Sequence, residues 1–440
     1  MNGGTATIDS FKIAVVGLGY VGLPTALAFH DVGFEVCGID ISTRVIDGLK
    51  KGKSPLIDNT ANFSIPVNSD KWKVTTSFKE SIFYSDIVLI TVPTPVNDDK
   101  TPDLSYIISA SENIFDNIDR SKNTIVVLES TVYPGVTREV LGGICIKKGI
   151  ELNKQVTLAY CPERVNPGDD SRSVNSVAQI IGCDDIGTGE ILTELFAKTT
   201  TATSTYVGKI EIAEASKMIE NVQRDIDIAL VNELSIILPK LGIDVEDVLS
   251  AADTKWNFHK HTPGIGVGGH CIPVDPYYYM ALAEKVGFPS KISTHARKIN
   301  NSMPIIAAEN ILKLSTNNSE HINILVLGYS YKPELGDLRE TPVKDLTHYL
   351  NSKGANVFLW DPLVEKEKLP KWINYISEPL ETEEIDCVVL ATAHKEVINL
   401  DWIALKKCCR KCTIYDGRRV LNKDKMEQIG WKYTGIGVPE

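Results

Sequence analysis

The sequence predicts an α/β protein in which two doubly wound parallel-sheet domains are joined by a central helical domain with a long helix. Three observations carry this expectation. Short apolar runs ending at glycine or proline alternate with helical apolar spacing near both ends of the chain, the pattern of strand–helix–strand units. Between them, EIAEASKMIENVQRDIDIALVNELSIILPKLGI keeps helical spacing with no glycine before Gly242. The length, 440 residues, exceeds what one core holds, so two or three domains are expected.

The elements follow in order. IAVVG is a strand that ends at glycine, LPTALAFHDVG a helix that stops at Gly33, and EVCGID the next strand. Further strands are expected in DIVLITVPTP (86–95), NTIVVLES (123–130), VTLAYCPER (156–164) and AQIIGC (178–183), all in one parallel sheet. The long helix opens the middle region. Helical pattern continues in VEDVLSAADT, in YYYMALAEKVG and in ISTHARKINNSMP. TNNSEH (316–321) reads as a linker. INILVLGYSYKP then restarts the alternation, with VFLWDP, CVVLATA and TIYDGR as later strands. The expected domains are therefore 1–208, 209–315 and 316–440.

Composition narrows the function classes. The net charge of −11 argues against a nucleic-acid partner, which wants a basic face. The start, MNGGTATIDS, is short and polar, and no apolar run is long enough to span a bilayer, so no membrane insertion and a cytoplasmic location are expected. Nine cysteines are scattered, which does not suggest a disulfide framework. KKCCRKC lacks a second pair at zinc-finger spacing, so no metal site is assigned to it.

The glycines of GLGYVG, at Gly17, Gly19 and Gly22, stand between a strand and a helix. That context allows a tight turn, close approach to a pyrophosphate, and phosphate contact with the free amides of the helix start. Asp40 ends the next strand, at about the twenty-residue spacing of an acid that binds a ribose 2′-hydroxyl. This favours NAD over NADP. Arg44, nearby, could meet a phosphate and complicates the choice.

GVGGHCIPVDP (266–276) is neither helix nor strand by composition. Its glycines, with Gly264, can bring backbone close to a ligand or expose amides to it. Cys271 follows, and a thiol becomes a strong nucleophile beside a cation. Asp275 stands where it could steer a base or a water. The alternative for Cys271 is a packing residue. His270 is adjacent, and adjacent side chains diverge. Lys217 and Asn221, four apart on the long helix, share a face. Such a pair is usually solvated, and gains meaning only if that face meets the cysteine loop.

The motifs resemble a known family when taken together. In order stand GLGYVGLPTA (17–26), VPTP (92–95), LESTVYPG (128–135), CPERVNPG (161–168), AEASKMIEN (213–221), GVGGHCIPVDP (266–276), GYSYKPELGDLRE (328–340) and DGRRV (416–420). The chain resembles the nucleotide-sugar 6-dehydrogenases of the UDP-glucose/GDP-mannose dehydrogenase superfamily. The resemblance implies an N-terminal Rossmann domain for NAD, a central dimerisation domain, and a C-terminal Rossmann-like domain for the nucleotide sugar. It implies a homodimer or higher homo-oligomer, a UDP-sugar substrate, and a product that feeds glycan assembly. The implied reaction oxidises carbon 6 of the sugar twice with two NAD, through a cysteine thiohemiacetal and thioester on Cys271.

Roles carried over by motif position are expectations. Lys217 would stabilise the oxyanion and Asn221 would hold the reacting oxygen. Asp275 would act with a water or Lys217 in acid–base work. Thr131 would lie by cofactor and water. Tyr20, Val21, Pro93, Thr94 and Arg339 would line the cofactor, and Lys332 and Arg339 would reach substrate and cofactor phosphates. Glu163, Arg164, Val165, Gly268, Arg297 and Arg418 would contact the sugar nucleotide. Val274 stands where UDP-glucose enzymes carry a lysine, and Pro167 where they carry a second glutamate. Water activation is thereby left to Glu163, Asp275 or His270. ERVNPG, QRD and GGHCIPVDP resemble the N-acetylhexosamine branch, with UDP-N-acetylglucosamine and UDP-N-acetylmannosamine as leading substrates. UDP-glucose is the alternative. A two-electron dehydrogenase of 6-phosphogluconate type and a non-catalytic NAD-binding protein are the more distant ones.

Overall fold

The structure is a computed structural model describing residues 8–56, 64–164, 175–315 and 322–439. The chain divides into two compact units. One comprises residues up to Asn221 together with Tyr277–Pro289; the other comprises Val222–Pro276 and the chain from Ser290 onward. Two of the three divisions fall inside helices, Ile210–Ile237 and Asp275–Lys285, and the third lies between Lys285 and Lys291. The TNNSEH segment and Val165 lie outside the described residues.

The first unit holds an eight-stranded sheet. Its strands are β1 (Lys12–Val16), β2 (Glu35–Ile39), β3 (Trp72–Thr75), β4 (Ile87–Ile90), β5 (Thr124–Leu128), β6 (Val156–Tyr160), β7 (Gln179–Cys183) and β8 (Ser204–Gly208). Their order is β3-β2-β1-β4-β5-β6-β7-β8. The central strands are near-continuous β-branched and leucine runs because both sheet faces are covered. Ile13 and Val15 of β1 enter one core and Ala14 and Val16 the other. One expectation needs correction: β6 and β7 pair antiparallel, at Ala159–Cys183 and Tyr160–Gly182. Arg164, just past β6, donates to the carbonyl of Ala178, just before β7, at 3.2 Å. The chain thus re-enters the sheet at the end it left, which an antiparallel partner requires and a crossover does not.

The long helix is Ile210–Ile237. A 3-10 turn containing Pro239 follows, and Gly242 at φ 72° ends it. The helix expected to end at Pro304 instead runs Lys291–Ser315 with Pro304 inside it. The ring is buried there and faces the close backbone of Gly266, so packing outweighs the lost backbone bond.

The second unit carries a six-stranded, fully parallel sheet. Its strands are β9 (Ile322–Leu327), β10 (Ala355–Trp360), β11 (Asn374–Tyr375), β12 (Cys387–Leu390), β13 (Thr413–Asp416) and β14 (Lys432–Gly435), ordered β11-β10-β9-β12-β13-β14. Ile324 and Val326 face one core, Leu325 and Leu327 the other. The short strands β3, β8, β11 and β14 escape the sequence reading, because edge strands carry little apolar periodicity.

Candidate active site

In the first unit the glycine turn links β1 to the helix Gly22–Asp31. Gly17 has φ 96° and its N–H donates to the carbonyl of Ile39 at 2.8 Å. A Cβ on Gly22 would stand 1.8 Å from the carbonyl oxygen of Gly17, so no side chain fits. A Cβ on Gly19 would meet nothing within 4 Å. Gly22 thus serves packing, while Gly19 leaves open space at the helix start. Asp40 accepts from the backbone N–H groups of Leu18 at 2.9 Å and Ser42 at 2.8 Å, which fixes its carboxylate beside the turn. Tyr20 and Val21 are half-buried in the turn, and Arg44 is exposed on the next helix.

The ends of β4, β5 and β6 bring three motifs together. The hydroxyl of Thr91 donates to the carbonyl of Gly17 at 2.7 Å. Ser130 donates to the carbonyl of Val92 at 2.6 Å, tying ESTV to VPTP. Pro93 is exposed, and Thr94 and Thr131 are half-buried. Glu214 of the long helix accepts from Gly135 N at 2.6 Å and from the N–H and hydroxyl of Thr137 at 2.8 and 2.7 Å. Arg164 forms a fork with Glu220 of the same helix, at 3.2 and 2.5 Å. These contacts hold the helix face carrying Lys217 in place. Lys217 is 9% exposed and has no hydrogen bond or ion pair among the described residues. Asn221 and Glu163 are half-buried. The Glu163 carboxylate accepts the N–H of Arg164 at 2.6 Å.

In the second unit Cys271 is half-buried, and its carbonyl accepts from Val274 N at 3.1 Å and Asp275 N at 2.8 Å. The thiol residue therefore sits in the turn that leads into the helix Asp275–Lys285. Asp275 is 2% exposed. The loop glycines make close approaches to protein. A Cβ on Gly268 would lie 2.6 Å from Cβ of Tyr331 and 2.9 Å from the carbonyl oxygen of Glu340. On Gly269 it would meet the Tyr331 ring at 2.8 Å, and on Gly266, Pro342 at 2.7 Å. Gly269 N donates to the carbonyl of Arg339 at 3.2 Å. The GYSYKPELGDLRE segment is thus the wall that shapes the cysteine loop.

The predicted cations differ in their engagements. Arg339 is exposed and forks onto Asp337 at 2.5 to 3.0 Å. Lys332 is half-buried. Arg297 is 4% exposed and pairs with the buried Asp225 at 2.6 Å. Burial pushes the Asp225 carboxyl up, and Arg297 pulls it back. From Asp225 a chain of bonds runs through Asn300 (2.7 Å) and Asn232 (2.8 Å) to the N–H of Gly264 (3.0 Å). Arg297 therefore anchors the start of the cysteine loop in this chain. Arg418 donates through Nε to the carbonyl of Ala391 at 2.7 Å, and Nη1 approaches Gly264. Its Nη2 is shielded and has no acceptor among the described residues. Burial pulls its guanidinium down to about 10, which leaves it charged at neutral pH.

Three consecutive stretches match one family by sequence. Its NAD binding domain matches residues 11–200, its central domain 211–302 and its UDP binding domain 325–423. The UDP-N-acetyl-D-glucosamine 6-dehydrogenase of Pseudomonas aeruginosa is 36% identical over 96% of this chain and 99% of its own. The chain belongs to the UDP-glucose/GDP-mannose dehydrogenase family. The UDP-N-acetyl-D-mannosamine dehydrogenase of Pyrococcus horikoshii is 32% identical over 97% of this chain and 99% of its own. A solved structure of that Pyrococcus horikoshii enzyme superposes with a TM-score of 0.85 at 31% identity, covering 97% of this chain and 99% of that one.

As a member of this family the chain is an NAD-dependent nucleotide-sugar dehydrogenase, an oxidoreductase with NAD as cofactor. The residues fit the group: open backbone at Gly19, a helix start beside it, and Asp40 fixed for a ribose. Among the described residues no helix is long and apolar enough to cross a membrane, and no cluster of metal-ligating side chains stands together. Sequence reasoning missed Glu129, Glu214, Glu220, Asp225 and Asn232. Four of these stand in or beside motifs quoted for other residues; burial is the signal the sequence lacks for all but Glu220, whose partner Arg164 is distant in sequence.

Proposed function

We propose that this family member oxidises carbon 6 of a UDP-N-acetylhexosamine, UDP-N-acetylglucosamine or UDP-N-acetylmannosamine, from alcohol to carboxylate, using Cys271 as a covalent nucleophile. The observation that carries the reading is the cysteine loop: a half-buried thiol in the turn just before a helix, in backbone that glycines fit tightly against the 329–342 segment. The relatives named for these two sugars, each aligned over nearly its whole length, support the substrate class.

NAD, when bound, supplies the hydride acceptor for both oxidations. In the first, the carbon 6 hydroxyl gives its proton through a water to Asp275 and carbon 6 gives its hydride to NAD, leaving an aldehyde. The Cys271 thiolate adds to that carbonyl to give a thiohemiacetal, whose loss of a second hydride leaves a thioester. Lys217 offers its ammonium to the oxyanion, and Asn221 donates to the same oxygen. Water then adds to the thioester, the carbon–sulfur bond breaks, and the sulfur leaves as thiolate. Glu163 or Asp275 takes the water's proton. Thr131 stands with the reacting water, and Arg418 and Lys332 receive the sugar nucleotide's phosphates. Covalent capture keeps a reactive aldehyde from escaping.

The same reading assigns 1–208 to NAD, 209–315 to a helical dimerisation domain and 316–440 to the nucleotide sugar. It places the enzyme in the cytoplasm, supplying uronates for polysaccharide assembly. The test is NADH release from UDP-N-acetylglucosamine, UDP-N-acetylmannosamine and UDP-glucose in parallel. A kcat/KM preference for one N-acetylhexosamine supports the proposal and names the epimer. A preference for UDP-glucose overturns the substrate reading.

A further inference from the structure

Glu129 immediately follows β5 and is 3% exposed. Its N–H donates to the carbonyl of Ile90 at 2.9 Å. Neither carboxyl oxygen has a hydrogen-bond partner among the described residues. Ile125 and Val127 of β5 share one core with Ala159 and Cys161 at β6, so the alternation of the strand carries Glu129 to that side. Cys161 is bonded to the end of β5 through Leu128, at 3.0 Å, and Glu163 follows two residues later. Glu163 is the ionisable neighbour that acts on Glu129, and Glu129 and Glu163 both act on the buried Cys161. Arg164, which also acts on Cys161, is engaged by Glu220.

A buried carboxylate that meets no donor and no cation among the described residues carries an uncompensated charge, which proteins avoid by keeping the proton. Burial, and then the charge of Glu163, push the Glu129 carboxyl well above the usual glutamate range. We propose that Glu129 is a positioning residue of the oxidation: a carboxylic acid that stays neutral beside an ionised Glu163, so that these two carboxyls hold one proton and one negative charge between them. This rests on the reading of Glu163 as a residue of the reaction. The arrangement leaves Glu163 able to accept a proton from water. It also keeps a second negative charge away from a site that forms an oxyanion and releases a carboxylate. The Glu129 hydroxyl is the donor left over for an oxygen bound near the strand ends.

The test is infrared difference spectroscopy on the full chain. At pH 7 the wild type should show the carbonyl stretch of a protonated carboxyl that Glu129→Gln lacks. Titrating that band in the wild type alone gives the ionisation point without relying on a variant. In Glu163→Gln the ionisation point should move down by about one pH unit, because the repelling charge is gone. The kcat–pH profile of the wild type should fall over the range where the band disappears, and Glu129→Gln should lose that fall. A wild type with no such band at pH 7, a band that persists in Glu129→Gln, or a titration unmoved in Glu163→Gln would overturn the proposal. NADH release on the same samples separates the two readings: no release from any UDP-sugar strikes the oxidation, whereas the band decides the protonation of Glu129.

Discussion

Lys217 shows what a single residue contributes. A lysine nine-tenths buried with no partner of its own in the described chain is an unusual placement, since amines rarely bury unless paired. In the proposed mechanism its partner is the oxyanion that forms during the reaction. Lys217→Met should lower kcat by about 10²–10³-fold with a smaller change in KM; a change confined to KM would make it a substrate-binding residue only. Glu129 makes the converse case. Its folded-state carboxyl is raised above the unfolded one, so its contribution to stability is fully present below the ordinary glutamate range and is lost as pH rises through the raised value. Denaturant melts from pH 4 to pH 8 should therefore show Glu129→Gln gaining on the wild type as pH rises. A constant difference between the two would contradict the assignment. Cys271 stood out in sequence because of its glycine-rich frame, whereas Lys217, on a helical face that is usually solvated, took a role only from the family resemblance. Glu129 could not, because a glutamate after a strand reads as an exposed end, and its burial between the ends of β4 and β6 depends on strand order.

At the scale of elements, the cysteine loop is shaped by what its glycines touch. The sequence suggested that they admit a ligand, and the structure shows Tyr331, Pro342 and Pro304 in the directions a Cβ would take. Gly268→Ala must displace both the Tyr331 side chain and the Glu340 backbone. It should cost about 1–3 kcal/mol of stability, read as a lower Tm, and should reduce kcat as the thiol shifts. An unchanged Tm and kcat would mean that the loop moves freely. The long helix was legible because no glycine interrupts its periodicity. The antiparallel β7 was not, since strand direction depends on where the chain re-enters the sheet, and local pattern does not record that. Pro304 misled for a related reason: its ring is held by packing against Gly266, a contact that is distant in sequence.

At the scale of the whole molecule, each sheet carries the same glycine-to-acid device. Gly17 N bonds Ile39 O at 2.8 Å and Leu18 N bonds Asp40 at 2.9 Å; Gly328 N bonds Trp360 O at 2.8 Å and Tyr329 N bonds Asp361 at 2.6 Å. A threonine hydroxyl also bonds each turn, Thr91 at the carbonyl of Gly17 at 2.7 Å and Thr392 two residues beyond Gly328, at the carbonyl of Ser330, at 2.5 Å. The likeness was only coarsely visible in sequence, because GLGYVG and GYSYKP share one glycine. The difference that matters comes next. After the first turn a helix opens at once at Gly22, whereas after the second it waits until Pro342. The first turn therefore has a helix start for a pyrophosphate, and the second gives way to the segment that walls the cysteine loop. The most direct measurement is NADH formed per molecule of limiting UDP-N-acetylhexosamine, wild type beside Cys271→Ala. Two NADH per sugar from the wild type, with the variant unable to complete both oxidations, is the predicted result. One NADH per sugar, or a variant that still yields two, would contradict the thioester route and return Cys271 to a packing role.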